Sequence, residues 1–426
     1  MKQKKALTIL ATITAAVFIL KAFPMAGAST VPPGWIDTSY HTSTAVDVSS
    51  GDLDSLMHPW WHIQGNSATV GDVPVIDRNS KTFYYPPFLH LFMASFMLIL
   101  PAGLATILSI SLIYSLTAPA TYLLTRSYEI DRKSSLLGAA FAATSIPLIH
   151  SQIMGFWSFA AAFILGITAF SFYRLHRKHG GRKLLAAYLL TATATVLTHW
   201  VFGAFIIGMP LLSTLLEEKT IDWKIPGLAL ATVLPHYVAF FATSKLSIYS
   251  TTTFDKFYTS ITPIAIIGGL LISRGRNRTI DLFSAGSLAG MTAYYLGAPI
   301  TFGGMIQFAL PVLAGFYIAD TRKRINGKEL AKAFTILTTV FIAASMISQA
   351  AIGNNSGRVL TEDQFHGLLD ARDKIPEEKI VAGPEVGAWI TLASGENRIV
   401  NPYAEYNASK LDERFYVLST ARGARP

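Results

Sequence analysis

A carboxylate and an imidazole lie four residues apart, just after the first apolar segment of the chain. Asp37 and His41 belong to the run Trp35 to His41, and residues four apart share one face of a helix. Carboxylates and imidazoles are common general bases, which remove a proton from an attacking nucleophile. We therefore predict Asp37 as the catalytic base, with His41 one helical turn away.

The pair opens a polar loop, residues 27–83, that carries acidic residues but few basic ones. A hard divalent cation needs several oxygen ligands, and the loop can offer it carboxylates such as Asp47, Asp52 and Asp54. Serines and Gly51 lie close to the same three residues, a pattern that is also typical of helix caps. Whether the protein uses a divalent cofactor, Mg²⁺ or Mn²⁺, therefore stays open. We assign no metal ligand and favour metal-independent chemistry.

Composition indicates which kind of secondary structure must position these residues. The chain of 426 residues is 51% hydrophobic and 14% charged, whereas soluble proteins carry about 25% charged residues. This predicts an all-α polytopic membrane protein. No cysteine is present, which excludes disulfides and thiolate metal sites. The net charge of +9 fits basic cytoplasmic loops, and we predict no nucleic-acid partner.

Eleven apolar segments are read as transmembrane helices, which typically have about 20 residues. They lie near residues 6–25, 104–125, 135–150, 153–173, 184–200, 202–216, 226–243, 258–273, 280–297, 302–319 and 330–350. We therefore predict a transmembrane domain over residues 1–350. Lys21, near the end of the first segment, could extend its amine to the membrane surface.

Basic loops orient these segments. Clusters such as Arg174 to Lys183 and Arg322 to Lys332 fall on one side of the predicted bundle, which the positive-inside rule places in the cytoplasm with the N-terminus. Residues 27–103 then form a large first extracytoplasmic loop. Its last part, from Tyr84 onward, predicts an interfacial helix that starts after two prolines.

The last part of the chain, residues 351–426, predicts a small extracytoplasmic α/β domain. Its pattern indicates a helix over 361–374, a strand over 379–383, a helix over 385–393 and a strand over 397–401. Pro376 ends the first of these helices. Few apolar residues are present, so we expect this domain to lean on the membrane part.

Four stretches, in order along most of the chain, carry a family resemblance. They are Asp37-x-x-Tyr40-His41, similar to a D-x-Y-Y-H motif, the helical run 128–173, the run Gln307 to Gly315, and Leu368 to Pro376 followed by Ile380 and Val381. Together they resemble the catalytic subunit of archaeal and bacterial oligosaccharyltransferases, within the GT-C class of membrane glycosyltransferases. The resemblance implies a GT-C-like fold of about eleven transmembrane helices.

The chain also departs from that family. The family places a D-x-D metal motif after the glycine that corresponds to Gly155, but here Phe156-Trp157-Ser158-Phe159 follows. Its W-W-D-Y-G motif, which reads the acceptor sequon, would fall at 383–387, where the chain has Gly-Pro-Glu-Val-Gly. Its arginine that contacts the lipid diphosphate corresponds to Ile306 or Gln307. These departures argue against N-linked transfer to asparagine.

A departing phosphate needs cationic or hydrogen-bonding partners. Few such groups lie on the predicted outer face, and aromatic rings there could stack on a sugar or anchor a loop in the headgroups. His150 or any other helix-end histidine could equally be a simple interfacial residue. The predicted substrate-binding residues are Tyr40, His58, His62, Tyr85, His90, His150 and Gln307.

The sequence therefore predicts a multi-pass cell-membrane glycosyltransferase that uses a polyprenyl-phosphate- or diphosphate-linked sugar on the extracytoplasmic face. Its expected partners are membrane lipid, the polyprenyl-linked sugar and an acceptor glycan, lipid or protein. One alternative is a non-catalytic GT-C-like scaffold or a subunit that binds lipid-linked glycan. Another is a transporter of lipid-linked sugars, although the predicted spans hold few of the ionisable residues typical of transporters.

Overall fold

The fold was analysed in a computed structural model. It describes residues 1–33, 36–53, 67–70, 73–76, 86–199, 202–243, 262–273, 275–295, 309–354, 360–376, 379–382, 389, 391–394, 399–400 and 415–417. Within these ranges the chain is mostly helical, and its few short strands come from residues 67–76 and from the C-terminal part.

The helices of the N-terminal half begin with α1 (Gln3–Ala28) and the polar helix α2 (Ile36–Ser49). A short apolar helix, α3 (Phe88–Met97), begins directly after Pro86 and Pro87, as predicted. The bundle then continues through α4 (Ala102–Ser115), α5 (Thr117–Ser127), α6 (Arg132–Ala143), α7 (Ile146–Met154), α8 (Trp157–His179) and α9 (Arg182–Thr198).

The second half of the bundle is built from further helices of varied length. They are α10 (Gly203–Ser213), which runs into a π-helical turn (Thr214–Glu218), α11 (Lys224–Thr243), α12 (Thr262–Ser273), α13 (Arg278–Tyr295), α14 (Ala309–Arg324) and α15 (Lys328–Asn354). Each of the eleven predicted segments overlaps a helix in this series or in the preceding one.

Four helical segments within the described ranges are long and apolar enough to cross a membrane: Gln3–Gly27, Ala102–Ser127, Trp157–His179 and Lys328–Ile352. A fifth would be the pair α6 and α7, which is bent by 44°. The other helices are shorter or more polar. The eleven-span topology therefore stays a prediction.

Local chemistry explains the breaks around α6 and α7. Asp131 precedes α6 and accepts hydrogen bonds from the backbone N–H groups of Lys133 and Ser134, which caps the helix. Gly155 ends α7 with a φ of 87°, a left-handed conformation that favours glycine. The chain therefore turns at residue 155 and starts α8 at Trp157.

The core of the bundle contains a close backbone crossing between α6 and α14. A Cβ atom on Gly315 would collide with the carbonyl oxygen of Gly138, and the reverse holds for Gly138. Small residues at a helix crossing let two backbones approach closely, and they are common in membrane proteins. The glycine pair thus fixes the distance between these two helices.

We expect Gly315→Ala to destabilise the bundle by about 1–3 kcal/mol, because the added methyl group overpacks the crossing. Thermal unfolding of the detergent-solubilised protein would measure this. The matched control is Gly286→Ala on α13, where an added Cβ meets nothing within 4 Å and alanine favours the helix. A Gly315→Ala midpoint equal to that of the control would contradict the close crossing.

The strands form one sheet that joins two distant parts of the sequence. The strands β1 (Ser67–Val70) and β2 (Val73–Ile76) form an antiparallel hairpin from the first loop. The C-terminal strands are β3 (Ile380–Ala382), β4 (Ile399–Val400) and β5 (Phe415–Val417). Their order in the sheet is β1-β2-β4-β3-β5, with Val75 of β2 opposite Val400 of β4.

The C-terminal part also packs helices against α2. It contains α16 (Glu362–Ala371), extended by a 3₁₀ turn (Arg372–Lys374), and the short α17 (Thr391–Ser394). Thr361 and Gln364 form a capping box at the start of α16. The elements match the predicted order, but a separate domain over 351–426 stays a prediction, because the first loop contributes two strands to its sheet.

Two polar contacts fasten this part to the end of α1 and to α2. Glu362 accepts hydrogen bonds from the backbone N–H of Thr30 at 2.7 Å and from the Ser29 hydroxyl at 3.1 Å. These bonds, led by that of the Thr30 N–H, lower the pKa of the Glu362 carboxyl. Arg372 forms an ion pair with Asp47. Asp47 lies inside α2 and is 1% exposed, so its predicted role as a surface helix cap was wrong.

Candidate functional site

The helix α2 is unusual because it is buried and polar at once. Its buried polar residues are Thr38, Ser39, His41, Thr42, Ser43, Thr44 and Asp47. Burying polar groups is costly unless they are hydrogen-bonded, so packing alone would favour apolar residues here. A site for a polar ligand gives a physical reason to retain them.

His41 of α2 meets His90 of α3 in the interior. Its Nδ1 lies 2.9 Å from the Nε2 of His90, and both side chains are almost fully buried. One ring nitrogen donates and the other accepts, according to the tautomer of each ring. Burial lowers the pKa of His90 to about 3, so this ring stays neutral at physiological pH.

Trp157, the first residue of α8, connects the histidine pair to α7. Its indole ring stacks on His41, with ring centroids 5.7 Å apart. Its Nε1–H donates to the Gln152 carbonyl oxygen at 2.7 Å. In the sequence, Trp157 stands out only because it falls where the resembled family has an acidic motif. A tryptophan directly after a helix break was the available signal for its positioning role.

The pair of histidines predicts a specific pH dependence. In the unfolded chain His90 binds a proton near pH 6.5, but in the fold it does so only near pH 3. Stability should therefore fall as pH drops from about 6.5 towards 3, by up to about 1.4 kcal/mol per pH unit. Thermal unfolding from pH 7 to 4 should show a shallower slope for His90→Gln than for the wild type. Parallel slopes would contradict a buried neutral His90.

The structure brings together some of the predicted site residues. His41 and His90 are in contact. Asp37 lies on α2 one turn before His41, and this position refers to its backbone only. His150 is likewise placed by the backbone of α7. Tyr40 packs in an apolar cluster with Phe365 and Trp389 of the C-terminal part. The predictions for His58, His62, Tyr85 and Gln307 lie outside the described residues.

The loop carboxylates that could offer ligands to a cation are only partly described. Asp47 is held by Arg372, and that ion pair competes with coordination of a cation. Asp54 lies outside the described residues. In the described ranges no three His, Asp or Glu side chains are grouped closely enough to hold a metal ion.

A charged cleft lies at the end of α8 that is opposite the histidine pair. This helix has 23 residues and is about 34 Å long. Its volume is about 630 Å³, and basic residues such as Arg174 and Arg177 line it. Glu217 pairs with Arg174 at 2.6 Å, and Asp222 pairs with Arg177 at 2.6 Å. These ion pairs fasten neighbouring loops, which gives the charged cleft a structural role distinct from the histidine site.

Three solved structures share the architecture. They are an oligosaccharyltransferase from Archaeoglobus fulgidus in complex with Zn and sulfate (14% identity, TM-score 0.54), the arabinofuranosyltransferase AftD from Mycobacteria (16%, 0.55), and ArnT from Cupriavidus metallidurans bound to undecaprenyl phosphate (9%, 0.57). No protein-family model and no curated protein matches the sequence.

The likeness extends over nearly the whole chain but over unequal parts of the other proteins. It covers 93%, 90% and 99% of this chain, and 62%, 29% and 87% of the oligosaccharyltransferase, AftD and ArnT, respectively. This chain thus spans less than two thirds of the first two. At sequence identities of 16% or lower, the likeness shows a shared fold and nothing further. The chain therefore has the GT-C fold that these three proteins share.

Proposed function

We propose that the protein is a membrane glycosyltransferase that transfers a sugar from a polyprenyl-phosphate or polyprenyl-diphosphate donor, with Asp37 as the general base. The observation that carries this proposal is the buried polar helix α2, which holds Asp37 and His41 on one face within a GT-C fold. Of the three solved structures with that fold, two are an oligosaccharyltransferase and an arabinofuranosyltransferase. The third is ArnT bound to undecaprenyl phosphate. Donor and acceptor are part of the proposal.

The proposed step is a displacement at the anomeric carbon of the sugar. The acceptor nucleophile gives its proton to Asp37 and forms a bond to that carbon. The bond between the carbon and the phosphate oxygen breaks, and the phosphate leaves with the electron pair. A positioned base of this kind contributes about 10²–10⁴-fold to a rate.

The histidine pair supports this step by positioning. Since burial keeps His90 neutral, it can hold one nitrogen of His41 through the 2.9 Å hydrogen bond. The stacked Trp157 restricts the same ring from another side. His41 then presents a fixed face one helical turn after the position of Asp37. No step here requires a metal, and metal dependence remains an open part of the proposal.

The site faces the extracytoplasmic side in this proposal. The basic ends of α8 and α14, with Arg177, Lys178, Arg322 and Lys323, would lie in the cytoplasm under the positive-inside rule. The N-terminus of α8, with Trp157, is the opposite end of that helix. The buried histidine pair would therefore lie in the extracytoplasmic half of the protein.

Donor turnover tests the function. Purified protein in lipid nanodiscs would be incubated with radiolabelled polyprenyl-phosphate and polyprenyl-diphosphate sugars, with lipid extracts as acceptors, and release of the polyprenyl carrier followed. We expect turnover of one donor class. Binding of donors without any turnover would instead favour a non-catalytic subunit that binds lipid-linked glycan.

Sidedness has its own test, because the chain contains no native cysteine. Single cysteines at the exposed positions Lys183 and Asp363 would be labelled in intact cells with a membrane-impermeant maleimide. We expect labelling of Asp363→Cys only. Labelling of Lys183→Cys alone would invert the proposed orientation.

A further inference from the structure

A lysine inside the bundle has no acidic partner among the described residues. Lys21 of α1 is 0% exposed. Its Nζ lies 3.3 Å from the Gln349 Oε1 of α15 and 5.7 Å from the centre of the Tyr114 ring of α4. The ion pairs in this part of the structure do not include it. The expectation that Lys21 reaches the membrane surface was therefore wrong.

The amide of Gln349 is oriented towards the lysine. Its Nε2 donates to the carbonyl oxygen of Thr144, at the break between α6 and α7, so its Oε1 faces Lys21. A neutral amide oxygen and an aromatic face stabilise an ammonium only in part, and a buried charge costs several kcal/mol. Ionisable residues retained inside membrane bundles usually serve a ligand.

An apolar groove runs along α1 on the N-terminal side of this lysine. The groove has a volume of about 420 Å³ and is lined on α1 by Leu7, Ala11, Thr14 and Phe18. The spacing of four, three, four and three residues continues to Lys21, so all five lie on one face of the helix. The groove therefore ends on the side of α1 that carries the buried ammonium.

The opposite wall of the groove comes from the helices that contact Lys21 and its neighbours. Leu112 and Ser115 of α4 and Pro119 of α5 line it, and Tyr114 lies between the first two. Its surface is almost entirely apolar, and a lipid chain fits such a surface because it buries apolar area.

A chain of contacts also connects α1 to the histidine site. Met25, one turn beyond Lys21 on α1, accepts a contact from Gln152 Nε2 at 3.6 Å, and Gln152 binds Trp157 through its carbonyl oxygen. The Oε1 of Gln152 is buried and has no hydrogen-bond partner among the described residues. A hydrogen-bond acceptor thus lies on the residue that connects Met25 of α1 to the ring stacked on His41.

We propose that Lys21 is the counter-ion of a lipid phosphate, and that the groove along α1, α4 and α5 holds the chain of that lipid. This inference rests on the proposed function, since the lipid would be the polyprenyl carrier of the sugar donor. Lys21 would be the binding residue for the phosphate, and Gln349 would position its ammonium group.

Binding of undecaprenyl phosphate tests the proposal. Its affinity for the purified protein would be measured by native mass spectrometry, alongside the neutral undecaprenol. We expect Lys21→Met to weaken binding of undecaprenyl phosphate by at least about tenfold, because a charge-assisted hydrogen bond is lost, and to leave undecaprenol binding unchanged. Lys21→Arg should retain most of the affinity. The exposed Lys183→Met is the charge-matched control and should bind as the wild type does.

Three results would overturn the proposal. The first is wild-type affinity in Lys21→Met. The second is an equal loss for phosphate and alcohol, which would indicate general damage to the fold. The third is displacement of the bound lipid by millimolar inorganic phosphate, which would indicate a site for the free anion. Filling the groove with Ala11→Trp should weaken both lipids, and unchanged binding would remove the groove from the proposal.

The test of lipid binding at Lys21 can be distinguished from the test of the proposed function. Without lipid, the thermal midpoint of Lys21→Met should change little, because removal of a buried charge offsets the lost hydrogen bond to Gln349. Added undecaprenyl phosphate should raise the midpoint of the wild type but not that of the variant. Lipid binding that depends on Lys21, without any donor turnover, would retain this inference and reject the proposed enzyme. Donor turnover together with wild-type lipid binding in Lys21→Met would retain the proposed enzyme and reject this inference.

Discussion

Asp37→Asn should lower donor turnover by about 10²–10⁴-fold, the range that a positioned general base contributes. Asparagine preserves size and hydrogen bonding but cannot accept the acceptor's proton. Because the change acts on the chemical step, the affinity for the donor should stay within a fewfold of wild type. Single-turnover release of the polyprenyl carrier separates the rate of the step from donor binding.

The control for this substitution is Asp370→Asn, an exposed acid on α16 that has no part in the proposed step. It removes one negative charge from the same end of the protein and should retain wild-type turnover. Equal turnover in Asp37→Asn and Asp370→Asn would remove Asp37 from the mechanism. His41 would then be the base to test in the same assay, with His41→Gln.

Arg372→Met should destabilise the junction between α2 and the C-terminal part by about 3 kcal/mol, since it removes the guanidinium from a buried carboxylate. Asp47 is 1% exposed, while the Arg372 side chain is 14% exposed. Thermal unfolding and limited proteolysis of residues 360–417 in detergent would measure the effect. Faster cleavage in this segment is expected before the bundle itself unfolds.

A double-mutant cycle isolates the ion pair. Asp47→Asn combined with Arg372→Met removes both charges, and it should recover part of the stability lost in Arg372→Met. An exposed basic residue on the same segment, Lys374, offers the control Lys374→Met, which should change little. Strictly additive effects of the two single substitutions would show that the pair does not couple α2 to the C-terminal part.

Local patterns predicted the elements that carry the site. The prolines before Phe88 correctly predicted the start of α3, because proline fits the first turn of a helix. The spacing of Asp37 and His41 correctly predicted two positions on one helix. In the C-terminal part, the order helix, strand, helix, strand was also confirmed. Each of these features depends on residues close together in sequence.

Contacts between distant segments could not be predicted in this way. The first loop was read as a polar loop of acids, yet Ser67–Ile76 supplies two strands to the C-terminal sheet. The basic cluster from Arg174 to Lys183 contains no acid. Its partners Glu217 and Asp222 come from the π-helical turn and the residues after it. Pairing of strands or charges across more than forty residues leaves no local spacing in the sequence.

The sequence by itself determined the membrane class, the helical segments and a carboxylate and imidazole one turn apart, because hydropathy and helical periodicity are local properties. Only the tertiary structure decided what these groups meet. It joined His41 to His90 and Trp157, paired Asp47 with Arg372 and placed Lys21 in the interior. Burial and partner choice depend on how helices pack, and that packing decides which polar groups lose water.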